Sequence, residues 1–79
     1  MTSSPSKIDR PKDIGQLARE ARRASNLTQA RAAALCGVGI RFLSEMENGK
    51  ASLHLGKVLK VLHGLGLVLM MKRKTFTDG

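Results

Sequence analysis

The sequence predicts an all-α fold, a compact bundle of four to five helices in one domain, with a single C-terminal β-strand that pairs across a homodimer. Three features carry that prediction. Apolar residues recur at helical spacing through residues 11–25 and 55–65. Capping residues and glycines cut the chain between these stretches into short segments. Residues 67–73 alone have the apolar, β-favouring character of a strand. A chain of 79 residues has room for one domain, which at this size buries only about 60% of its unfolded surface. Its own core is marginal, and association with a second protomer adds to it.

Residues 1–10 are Ser-rich and polar, lack a hydrophobic period and read as a flexible tail. Pro11 suits the first turn of a helix, where its missing N–H is no loss, and Ile14, Leu17, Ala18 and Ala21 then repeat at i, i+3, i+4 and i+7. A first helix from about Pro11 to Ser25 follows, ended by Asn26 and Leu27. Thr28 is a good N-cap for a short second helix with an Ala-rich interior, Ala30 to Leu35. Gly37 accepts a left-handed conformation after it, and Gly39 caps a third helix from Ile40 to about Glu47. That helix turns Leu43, Met46 and Glu47 inward and leaves Ile40, Arg41, Ser44 and Glu45 on its open face.

Asn48 and Gly49 end the third helix, and Ser52 is placed to cap a fourth. Leu55, Val58, Leu59 and Leu62 give the fourth helix an apolar face that Val61 and Leu65 widen beyond what one small core requires, so Leu55, Val58, Leu59 and Leu62 are expected at a dimer interface together with residues 67–71. Gly64-Leu65-Gly66 stops it, and Leu67, Val68, Leu69, Met70 and Met71 form the strand. A lone strand has no hydrogen-bond partner in its own chain, so the same segment of a second protomer is the expected one. The plan is a tail (1–10), a helical domain (11–66), a dimerisation strand (67–74) and a short tail (75–79).

Charge narrows the choice of partner. Fourteen Lys and Arg against six acidic residues give a formal net charge of +8, which draws the surface to polyanions. With two Phe and no Trp or Tyr, the chain lacks the stacking platforms common in single-strand and RNA binders, and duplex DNA is favoured. One cysteine makes no internal disulfide, and the segment before the first helix has no apolar signal-peptide core, so the expectation is the cytoplasm, associated with the nucleoid. The apolar run Leu65 to Met71 is far shorter than the ~18 residues of a membrane span. His54, His63 and the single Cys36 do not have zinc spacing, and the acidic residues form no acid/base pair, so neither a metal, a cofactor nor an enzyme is expected. Cys36 reads as a small buried hydrophobe.

Two short helices joined by a tight Gly-containing turn make a helix-turn-helix, whose second helix is the one able to enter a major groove. Here the resemblance becomes specific. Leu27-Thr28-Gln29, Gly37-Val38, Leu43-Ser44 and Glu47-Asn48-Gly49-Lys50 resemble the Xre/Cro family pattern over about residues 11–65. The resemblance implies a lambda-repressor-like bundle. It also implies that Gln29 at the start of the second helix holds a phosphate, helped by the helix dipole, and that Gly39, Ile40, Arg41, Ser44 and Glu45 face base edges. Among these Arg41 is the best reader, because a guanidinium donates two parallel hydrogen bonds to guanine O6 and N7. Thr28, Arg31, Asn48 and Lys50 are expected beside phosphates. The family also pairs an arginine late in the first helix with the glutamate of Glu-Asn-Gly, which here are Arg22 and Glu47.

Some positions depart from that pattern. Arg31 stands where an acid usually completes a capping box, Ala32 replaces a common core Leu, Gly39 a common Ser, and Phe42 fills a place that is often polar. Residues 49–62, followed by the short apolar strand, resemble HipB-like antitoxins most closely. That resemblance implies a repressor of its own operon, dimeric on a palindromic DNA site, which also binds a HipA-like serine/threonine kinase toxin. A solitary Xre-type regulator with the same DNA chemistry is the alternative. A third, different in class, is an adaptor that uses its charge to bind an acidic protein and no DNA.

Overall fold

Four helices make up the regular structure of residues 6–74, the part of the computed structural model described here: α1 (Pro11–Ala24), α2 (Gln29–Cys36), α3 (Ile40–Glu47) and α4 (Leu55–Gly64). Each stops by the same backbone device. A residue just past the helix turns left-handed, at Asn26, Gly37, Gly49 and Gly66, with φ of 58°, 73°, 82° and 77°. The next N–H then returns to a carbonyl inside the helix: Leu27 to Arg22 (3.1 Å), Val38 to Ala33 (3.0 Å), Lys50 to Glu45 (3.0 Å) and Leu67 to Leu62 (2.8 Å). This is the Schellman closure, which satisfies carbonyls that a helix end leaves open.

The helix starts differ among themselves. Pro11 opens α1, and the Asp13 carboxylate accepts the N–H groups of Asp9 (2.9 Å) and Arg10 (3.0 Å), so the last residues of the expected N-terminal tail are tied to the helix. These two backbone hydrogen bonds hold the Asp13 carboxyl below its ordinary value. Thr28 caps α2, its hydroxyl accepting from Arg31 N–H at 3.1 Å. Gly39 precedes α3 with no side-chain cap. Ser52 does not start α4: His54 does, its Nδ1 accepting from Lys57 N–H at 3.3 Å. A neutral imidazole nitrogen accepts as a hydroxyl does, and His54 directly precedes the first apolar residue of the helix.

Leu43, Met46 and Val61 are the largest fully buried side chains, surrounded by Ala18, Ala32, Ala33, Cys36, Val58 and Leu62. Each large apolar side chain taken from water contributes about 1.5–3 kcal/mol. Small residues set the separations. A Cβ on Gly15 would overlap the Met46 carbonyl oxygen, so α1 crosses α3 nearly backbone to backbone. A Cβ on Gly64 would lie 2.5 Å from Cys36 Sγ, so α4 passes α2 almost as closely.

The helical domain has four helices among the described residues, within the expected four to five, and α1 ends at Ala24 with Ser25 as its C-cap, close to its expected bound. Two other expectations are not met in the single chain. Val58 and Leu62, expected at a dimer interface, are buried inside the single chain, because the alanines of α2 let α4 sink onto it. Residues 67–74 form neither helix nor strand ladder: within one chain that segment finds no strand to bond with. Residues 1–5 and 75–79, the remainder of the expected tails, lie outside the described residues. No helix among the described residues is long and apolar enough to cross a membrane.

Candidate nucleic-acid interface

The α2–turn–α3 unit has one face in the core and one in solvent. Leu43, Met46 and Glu47 are buried, whereas Gly39 and Ile40 are exposed and the Arg41 side chain is 91% accessible. Ser44 and Glu45 are half-buried on the same helix. The N-terminal turn of α3 thus stands out from the body of the protein while its last turn is gripped.

The grip centres on Glu47, whose side chain is fully buried. Arg22 donates to it twice, from Nε to Oε2 at 2.7 Å and from Nη2 to Oε1 at 3.0 Å, and spends its remaining Nη1 on the Leu27 carbonyl at 2.8 Å. Gln29 Nε2 donates to Oε1 at 3.1 Å, and Arg19 Nε does so at 3.4 Å. Burial pushes the Glu47 carboxyl up, but hydrogen bonds from Arg22, Gln29 and Arg19 and the charge of Arg22 outweigh it and hold the group below its ordinary value. The bond to Glu47 in turn raises the Arg22 guanidinium. One carboxylate therefore fastens α1, the start of α2 and the end of α3 to one another.

The residues expected beside phosphates fall around this centre. Thr28 and Arg31 are exposed at the start of α2, and Asn48 and Lys50 are exposed just past α3. Gln29 is half-buried and turned toward Glu47, so one of its amide N–H groups is already engaged. Asn48 Oδ1 accepts from Arg19 Nη2 at 3.1 Å, which leaves the amide nitrogen of Asn48 as its donor end. Arg41 and Lys50 both approach Glu45 Oε2, at 3.5 Å and 3.3 Å.

The residues expected at a dimer interface are split. Leu55 is exposed and Leu59 half-buried on α4; beyond it Leu67 is half-buried and Val68, Leu69, Met70 and Met71 are exposed, with Met71 96% accessible. Cys36 is buried, its thiol pushed up by that burial and its Sγ 3.6 Å from the Val61 carbonyl oxygen. No group of three or more metal-ligating side chains occurs among the described residues.

Three contributors escaped the sequence reading. Arg19 joins the Glu47 centre one helical turn before Arg22, a spacing that periodicity alone offers as readily for solvent. Gly15 carries no side-chain signal at all, and its importance appears only in the crossing of α1 over α3. Phe42 packs against the core as a partly buried residue, with Lys57 Nζ 5.8 Å from its ring centroid.

Comparison with known proteins places this geometry. Residues 13–69 match the model of the helix-turn-helix domain family. An uncharacterized HTH-type transcriptional regulator, y4mF, of Sinorhizobium fredii is 47% identical over 60 residues, which span 76% of this chain and 79% of that protein. Among solved structures, a HipB variant in an O2 20mer complex superposes with a TM-score of 0.80 at 25% identity, covering 91% of this chain and 100% of that one. The restriction-modification controller protein C.AhdI of Aeromonas hydrophila gives a TM-score of 0.65 at 29% identity, covering 73% of this chain and 84% of that one. HipB in a HipA-HipB-O2-O3 complex, at 22% identity, shares the fold with a TM-score of 0.79. The chain belongs to the helix-turn-helix family of transcriptional regulators, as a member of the Xre/Cro type.

Proposed function

We propose that this regulator binds a palindromic duplex operator as a homodimer and represses transcription from it. The supporting observation is the first turn of α3: Ile40 and Arg41 project into solvent while Leu43, Met46 and Glu47 anchor the same helix in the core. Arg41 reads a guanine in each half-site, Ile40 meets a thymine methyl or the groove wall, and Gly39 and Ser44 complete the base-facing surface, with Glu45 at its edge beside Arg41. Thr28, Gln29, Arg31, Asn48 and Lys50 lie on phosphates and set the register. Two protomers associate through Leu55, Leu59 and the exposed segment Leu67–Met71, whose antiparallel pairing supplies the strand ladder that one chain lacks. Footprinting tests the reading. Two protected half-sites with centres about 34 Å apart, one helical turn, support it, and protection of a single half-site or of none refutes it.

The same fold occurs in HipB within a HipA-HipB-O2-O3 complex, which supports a further role as the antitoxin of a HipA-like Ser/Thr kinase, autoregulating the operon the two share. The solitary regulator fits equally well, since the y4mF relative is an HTH-type transcriptional regulator by name. Co-expression with a HipA-like kinase encoded beside the gene separates the two: co-purification with the dimer supports the antitoxin role. Lack of a neighbouring kinase gene leaves the solitary regulator.

A further inference from the structure

Glu45 faces the two cations on which the DNA reading most depends. Its Oε2 lies 3.5 Å from Arg41 Nε and 3.3 Å from Lys50 Nζ. Neither approach is a chance of long side chains. Arg41 and Glu45 are one turn apart on α3, with the i, i+4 spacing that brings side chains together. Lys50 is held in place by the helix ending itself, since its N–H bonds the Glu45 carbonyl at 3.0 Å and sets its side chain beside the glutamate's. One carboxylate oxygen therefore serves a proposed base reader and a proposed phosphate cation together, on a surface otherwise rich in positive charge.

We propose that Glu45 is a specificity-determining residue that acts as an internal counter-charge. It engages Arg41 Nε and Lys50 Nζ and so opposes the transfer of these cations to phosphates. This rests on the DNA-binding reading given above. A random duplex offers mainly phosphates, so it must strip both cations from Glu45 in return for contacts of the general electrostatic kind. A cognate half-site also offers guanine O6 and N7 to Arg41 in a bidentate geometry that one glutamate oxygen cannot match. Glu45 holds Arg41 by Nε and leaves both Nη groups for guanine, so recognition keeps that contact while a phosphate of a random duplex draws the whole guanidinium away, and the glutamate weakens indiscriminate binding more than it weakens recognition.

The test compares the full chain with its Glu45→Gln variant on two probes, a random-sequence 20-base-pair duplex and a duplex enriched from a random pool by the parent protein. Affinities are taken over a range of salt concentrations. For the random duplex, freeing one to two cations tightens binding about tenfold near 0.1 M salt and steepens the log–log salt slope by about one. The enriched duplex gains less, so the ratio between the probes falls. In an Arg41→Gln background the effect of Glu45→Gln shrinks, which a general change in surface charge would not produce. Unchanged random-duplex affinity, or additive effects of the two substitutions, overturns the proposal while leaving DNA binding intact. Weaker binding to the enriched duplex with a shifted base preference at one position also overturns it, because Glu45 then reads a base directly. A parent chain that binds no duplex and yields no enriched pool removes the DNA reading and this inference together.

Discussion

Replacing Glu47 by Gln tests the junction that holds the recognition helix. The side chain keeps its volume, but the charge disappears and an amide NH2 is set among donors from Arg22, Gln29 and Arg19. Arg22, only 11% exposed, retains its bond to the Leu27 carbonyl and loses the carboxylate. Breaking a buried pair by removing one partner costs about 3–5 kcal/mol. Because Arg19 is 37% exposed and water reaches that edge of the cluster, the low end applies, about 3 kcal/mol. For a domain whose total stability is on the order of 4–12 kcal/mol, that is a large share, and it lowers the thermal midpoint by about 12 °C or more. Far-UV circular dichroism in urea reads the effect, as the chain has no Trp or Tyr to follow by fluorescence. The parent's contribution is also acid-labile. The Glu47 carboxyl lies below its ordinary value in the folded state, so its stabilisation is complete above the unfolded value and fades as pH falls through the folded one. The Gln variant has no such contribution to lose, and the gap between the two proteins narrows in acid. Lys50→Met, which cuts an ion pair whose side chains are 46% and 31% exposed, serves as the control and changes stability by about 0.5 kcal/mol or less. A Glu47→Gln loss below about 1 kcal/mol, or one matching the control, refutes the picture of a buried clamp.

Gly15→Ala drives a methyl group into the Met46 carbonyl and forces α1 off α3, lowering stability by about 2–3 kcal/mol in the same urea assay. Asn26 is the one non-glycine residue at a left-handed helix end among those described, with φ of 58°. Asn26→Gly raises the thermal midpoint by a few degrees, and Asn26→Ala lowers stability by about 1 kcal/mol. In DNA binding, Arg41→Ala relaxes base preference at one position of each half-site, and Lys50→Ala weakens all sequences alike and reduces the salt slope by about one, both measured by selection from random pools and by titration.

The helices were legible where local chemistry decides them. Thr28, Gly37 and Gly39 mark the limits of α2 and α3 by their own conformational preferences, and the structure has the two helices at Gln29–Cys36 and Ile40–Glu47. Legibility failed where a neighbour decides. Ser52 offers a hydroxyl, yet α4 starts at Leu55 under a cap from His54, a residue type that does not rank among common caps. Val58 and Leu62 share a stripe with Leu55, but the depth to which α4 sinks depends on Ala32, Ala33 and Gly64, and no periodicity along a single helix encodes that depth. The segment 67–74 depends on a partner for any ladder, so its conformation in the isolated chain could not follow from β propensity alone. Within the interface, the family pattern placed Arg22 and Glu47 but was silent on Arg19, Gly15 and the orientation of Gln29, all of which follow from how α1 meets α3.

The crossing at Gly15 and the arginine clasp on Glu47 both hold α3 by its C-terminal end, which makes the helix a cantilever. Its tip bears Ile40 and Arg41, proposed above to face bases, and both are largely exposed, so they are open to exchange without loss of the scaffold. New sequence preferences can therefore be explored at the tip while the root stays constrained, which separates the evolution of what is recognised from the survival of the protein that recognises it.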